Sequence, residues 1–177
     1  MQDSTDRDLP GTKSDRLQSV TNSFGTEEGV YGVILVAGMI VVTGADNATA
    51  WSVFLAVVGT VLVFWAAHVY AGTVARHGFG DGTTSLRKSF GAALHHSWGL
   101  LVSALIPASI LLLGVLDAVP DPIAIWSALW TCVAVLAVLG YVAFTRRSSP
   151  LWVRLLGALV TAGFGILMIL LKAALHH

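Results

Sequence analysis

Glu27, Glu28, His68, His95 and His96 are the residues of this chain whose types and spacing could do chemistry. Carboxylates and imidazoles together can relay protons, because histidine titrates near neutral pH and a neighbouring carboxylate moves that point. His68 is the central one. It lies in the stretch FWAAHVYAGTVA, Phe64 to Ala75, between Trp65 and Tyr70 and inside an apolar run that begins at Trp51. An ionisable group within a membrane helix is costly and usually faces the protein interior, a cavity or a partner. Tyr70, two residues on, brings a phenolic hydroxyl to the same stretch and joins the candidate pathway.

Each of these residues also has a plainer role. Glu27 and Glu28 suit the first turn of a helix, where a negative charge complements the dipole. His95 and His96 could end an amphipathic segment, Ser85–His96, that runs along the membrane surface. They could instead sit inside a helix that starts at Ser89 and is long enough to need strong tilt. For His68, one hydrogen bond to a neighbouring helix would suffice.

The elements that must position these groups follow from composition. Of 177 residues, 55% are hydrophobic and 11% charged, and the formal net charge is zero. An average soluble domain carries about 25% charged residues, so a water-soluble fold is excluded and an all-α membrane bundle is expected. No basic patch is large enough to hold nucleic acid. The single cysteine, Cys132, lies in an apolar run and permits no intrachain disulfide. The first 26 residues are polar and show no early apolar core, so no cleavable signal peptide is expected. They read as a disordered cytoplasmic tail (1–26) ahead of a membrane domain (27–177). The final His176–His177 carries no part of the reading.

Five apolar segments follow the tail, at about 30–44, 51–75, 97–116, 123–144 and 151–171. A crossing of a ~30 Å hydrocarbon core needs about 20 residues. Four segments meet that length. The first has only 15 and must draw in Glu27 and Glu28 at one end or Asp46 at the other.

Lys and Arg set the orientation. Arg76, Arg87 and Lys88 follow the second segment, while Arg146 and Arg147 follow the fourth, with Arg154 just beyond. The alternate loops carry Asp46, Asp117 and Asp121 and no basic residue. Five crossings with the N-terminus inside and the C-terminus outside are therefore expected. Trp51, Trp126 and Trp130 mark the outer interface and Trp152 the inner one.

In that frame His68 lies roughly 10 Å inside the cytoplasmic boundary, at 1.5 Å per helical residue. Glu27, Glu28, His95 and His96 gather on the same side. The third segment adds a stripe at helical spacing, His96, Gly99, Ser103 and Pro107, continuing through Ile110 to Gly114 and Asp117. It suits a wet or ion-lined path, with Ser103 as a pathway residue and Pro107 freeing a carbonyl. Close helix packing selects small residues as well, and the interruption at Ile110 favours it.

Two more stripes look like packing faces. One is Ala67, Ala71 and Ala75; the other is Gly157, Thr161 and Gly165. Past Arg154 the last segment is expected to hold no other polar group inside the membrane, which would leave its small face for a second protomer. Tyr31-Gly32 resembles Trp98-Gly99, and Trp51-Ser52 resembles Trp126-Ser127. Segments one–two and three–four would then form two hairpins of like orientation, with Glu28 and His95 at matching depth.

The chain contains no HExxH, CxxC, GxSxG or P-loop, so neither an enzyme nor a cofactor is expected. The His/Glu set shows no ligand spacing within one helix, and no metal site is expected. The sequence leads to a homo-oligomeric, multi-pass protein of the lipid bilayer that conducts or transports a small ion or a proton. The alternative is a non-catalytic module that binds or stabilises a partner membrane protein. Richness in Ala, Val, Leu, Gly and Arg points to a bacterial inner membrane.

Overall fold

The computed structural model describes residues 13–44, 47–78, 85–145 and 150–175, with side chains described in 27–44, 47–76, 85–145 and 150–174. Residues 1–12, Asp46, Arg146, Arg147 and His176–His177, invoked above, lie outside the described residues. The described residues are helical throughout apart from short connections. They form α1 (Lys13–Thr43), α2 (Ala50–Gly78), α3 (Leu86–His96), α4 (Trp98–Val115), α5 (Asp121–Thr145) and α6 (Leu151–Leu175).

Four stretches are long and apolar enough to cross a membrane: Ala50–Arg76, Leu86–Val115, Asp121–Thr145 and Leu151–Ala174. The chain is thus an all-helical, multi-pass membrane protein. The first apolar segment is the exception in length and also in position. α1 packs against all five other helices, whereas α2 and α6 make no contact with each other among the described residues. Val33, Val36, Ala37, Ile40 and Val41 of α1 are fully buried. A helix sheathed by its neighbours sits beside protein more than beside lipid, so the charges at its edge need not meet hydrocarbon. The backbone of α1 is helical from Lys13, whereas the tail was expected to be disordered to residue 26. Extending a formed helix costs little per residue, and no proline interrupts residues 13–26.

The two-hairpin pattern has a counterpart in the packing. α1 and α4 lie against each other, and each also contacts both α2 and α5. The centre of that arrangement is dry: Val33, Val36, Ile40, Val57, Leu100, Leu111, Leu129 and Leu136 form one apolar core. Small residues allow the approach. A Cβ on Gly32 of α1 would come within 2.8 Å of Ser103 Oγ and 3.0 Å of the Leu100 carbonyl oxygen on α4. At the other end of α4, a Cβ on Gly114 would lie 2.7 Å from both Ala50 and Ala124, so α2, α4 and α5 meet there. α4 then stops in a Schellman turn: the Ala118 N–H donates to Leu113 O, the Asp117 N–H donates to Gly114 O, and Asp117 takes φ 54°.

One small-residue stripe packs as expected, though within the chain, and the other does not pack. Gly157, Thr161 and Gly165 are used within the chain. A Cβ on Gly157 would strike the Phe144 ring, and one on Gly165 would lie 2.9 Å from Val133. Thr161 Oγ1 donates across to Leu136 O on α5 at 2.9 Å. The face assigned to a second protomer is the α5–α6 contact, because α5 offers the matching small residue, Gly140, at the same level. On α2, Ala67, Ala71 and Ala75 are exposed instead of packed.

The expectation of no polar group past Arg154 is also corrected. Lys172 is 5% exposed. Its ammonium donates to the carbonyl of Gly44, just past α1, and stands 5.5 Å from the ring centroid of Trp126. Near a helix end a lysine stem crosses apolar surface while its head reaches a polar partner, and here that partner is the open end of α1.

Candidate functional site

The site forms where α1, α2 and α3 come together on the side carrying Arg76, Arg87 and Lys88. α3 is a separate short helix. Its backbone turns at Ser97 (φ −77°, ψ 0°), whose N–H still donates to Ala93 O at 3.0 Å. The segment is an amphipathic helix with Leu86, Arg87, Lys88, Phe90 and His95 exposed, while Ser89 and Ala93 are buried. Ala93 abuts α2 where Gly72 leaves room, 3.3 Å from the position a Cβ would take. Adjacent residues on a helix point about 100° apart. Anchoring α3 through Ala93 therefore sends His96 inward and His95 outward.

His96 meets Glu28, with Nε2 3.1 Å from Oε1. The repeat reading put His95 at the depth of Glu28, and His96, one residue on, is the one that meets it. Glu28 is 5% exposed, and its second oxygen, Oε2, has no hydrogen-bond partner among the described residues. Both residues face a cavity of about 370 Å³, lined also by Glu27, Tyr31, His68 and Ser97. The remaining wall is small and apolar: Ala71, Gly72, Ala75 and Ala93. The α2 stripe expected to pack a helix instead keeps this space open. His68 rests against the Phe64 ring, 4.8 Å between centroids and tilted by 47°. One face of α2 continues from His68 through Gly72 to Arg76. The Arg76 guanidinium acts electrostatically on both Glu28 and His96, and its Nη1 is buried without a hydrogen-bond partner among the described residues.

Of the seven candidate residues, the structure brings Glu27, Glu28, His68 and His96 to one cavity. His95 and Tyr70 do not line it; Tyr70 is 72% exposed on the outer surface of α2. Ser103 does not line it either. Its hydroxyl donates to Leu100 O at 2.9 Å, and its side chain is buried against Gly32 and Gly29 of α1. The Ser103–Pro107 stretch of the α4 stripe therefore serves packing, since a hydroxyl bonded to its own helix allows α1 to come close.

Tyr31, Arg76 and Ser97 are members that sequence reasoning passed over. A signal was present for two of them. Tyr31 lies three residues after Glu28 and four after Glu27, and Arg76 lies eight after His68, all on shared helix faces. Among the described residues, no group of three His, Cys, Asp or Glu side chains is arranged to hold a metal ion.

No known protein family matches the chain, and neither a curated protein nor a solved structure is found to be similar to it.

Proposed function

We propose that this chain is a small transporter or channel for protons or other small cations, with its binding site near the cytoplasmic side. In this reading α1 supplies a fifth crossing, the N-terminus is inside and the C-terminus outside. The protein acts as a homo-oligomer in a bacterial inner membrane. The observation that carries the reading is the Glu28–His96 pair at 3.1 Å, facing a cavity shared with Glu27 and His68. Acid and base groups within reach of one another and of a common space can pass a proton or balance a cation.

The dry core beyond Val33 and Leu100 favours a transporter over an open pore. Passage requires α1 and α4 to part, beginning at their inner ends, where Gly32 packs against Ser103. The same packing supports the second reading, a non-catalytic partner-binding module, because no polar path continues past Ser103.

Flux through vesicles containing the purified chain separates the two. A transporter gives flux that depends on pH between about 5 and 8 and drops at least tenfold in His68→Ala and in Glu28→Gln, with helical content unchanged. Absence of flux in the parent protein, or undiminished flux in folded His68→Ala, removes the transport reading and leaves the module.

A further inference from the structure

The shape and chemistry of the cavity discriminate among cations. We propose that it binds an organic ammonium ion bearing small apolar substituents, and that a bare metal ion is not its ligand; this rests on the cation-handling reading above.

Begin with the charge. Glu27 and Glu28 from α1 face the space, His68 and Arg76 come from α2, and His96 comes from α3. Two carboxyl groups stand beside one guanidinium, and a bound cation favours the ionised form of both, so the site can take up one positive charge. Its seat is defined. His96 occupies Oε1 of Glu28, a cavity-lining residue, while Oε2 is buried and has no hydrogen-bond partner among the described residues. A buried carboxylate oxygen without a donor is costly, and an ammonium N–H or a polarised N–CH₂ group satisfies it. Tyr31, 53% exposed, presents a ring at the mouth where a cation can lie against its face.

Size and wall chemistry complete the argument. About 370 Å³ is roughly twelve times the ~30 Å³ share of one water. A metal ion in that volume would need either three or more side-chain ligands or a full shell of water. No such ligand group is present among the described residues. The Ala71, Gly72, Ala75 and Ala93 wall offers no side-chain donor or acceptor to hold water. Alkyl groups of two or three carbons fit it directly. Mobile charge spread over an alkylated nitrogen also costs less to desolvate than a point charge.

Tetraethylammonium is the probe, added to the purified full-length chain in detergent and followed by titration calorimetry and thermal unfolding. We expect saturable binding that raises Tm, competition by tetrapropylammonium, and no comparable effect of K⁺ or Zn²⁺. Glu28→Gln should weaken binding at least tenfold. Ala71→Leu, which fills the wall without altering a charge, should weaken it similarly and covers the case of a misfolded Glu28 variant. Saturable Zn²⁺ binding without tetraethylammonium binding overturns the proposal, as does tetraethylammonium binding indifferent to both substitutions. If tetraethylammonium fails to bind while His68-dependent proton flux persists, the ligand assignment falls and the transport reading stands. If it binds as described while no flux of any kind occurs, the assignment stands and transport falls.

Discussion

Lys172, at the C-terminal end of α1, and Glu28, midway along it, are two buried ionisable residues that differ in how far the chain satisfies them. Lys172 donates to the Gly44 carbonyl and lies over Trp126, so it closes the end of α1 against α6. Gly44 is required there, since a Cβ would fall 2.7 Å from the lysine Nζ and 2.5 Å from the Ile40 carbonyl oxygen. Removing the ammonium in Lys172→Met leaves that carbonyl without its donor, a loss of about 1–3 kcal/mol. Thermal unfolding in detergent should record a lower Tm for Lys172→Met, and a Tm equal to the parent would show that the contact adds nothing. Glu28 is satisfied on one oxygen only, which is why its chemistry is assigned to binding and that of Lys172 to structure. His95 and His96 make the same distinction within one turn: a single step of helix rotation sends one toward solvent and the other to a carboxylate.

Between elements, small residues do two opposite things. On α5 and α6 they bring backbones together. A Cβ on Gly140 would lie 2.6 Å from the Gly157 carbonyl oxygen and nearer still to Thr161 Oγ1. On α2, Ala71, Gly72 and Ala75 keep a cavity from closing. Sequence spacing cannot separate these outcomes, because both need the same absence of bulk on one face. Gly165→Leu tests the first. Its side chain would press on Val133 and Leu136 of α5, and overpacking of this kind costs about 1–3 kcal/mol. The expected result is a lower Tm of the folded chain with its oligomeric state unchanged. Dissociation of an oligomer without loss of Tm would return this face to a protomer contact.

For the whole molecule, the arrangement of charge across the membrane is the quantity to measure. Arg87 and Lys88 are exposed on α3 and Asp117 is exposed in the turn after α4, at opposite ends of the Leu86–Val115 span. Single cysteines at Arg87 and Ala118, in a background where Cys132 is replaced by Ala, should react with membrane-impermeant maleimide from opposite sides. The Arg87 position should label only after the inner side is opened, by the positive-inside rule. Labelling of both from one side would contradict a crossing by α4 and remove the depth assigned to the Glu28–His96 cavity.

The sequence by itself determined the solvent. Apolar runs of 20 residues and more, with charge confined to their ends, can satisfy their backbone in lipid only as helices, and this made the all-helical, multi-pass fold legible. It also singled out His68, since an ionisable side chain in such a run is conspicuous. Tertiary structure alone decided which of the site residues meet. The rotation of α3 about its axis, set by Ala93 against Gly72, chose His96 over His95. The contact of Gly32 with Ser103 made part of a polar-looking stripe into packing. α1, whose apolar stretch is too short by length, became the centre because the five other helices pack against it. These outcomes depend on which faces neighbouring helices present to one another, and an apolar sequence with small residues on several faces permits more than one such arrangement.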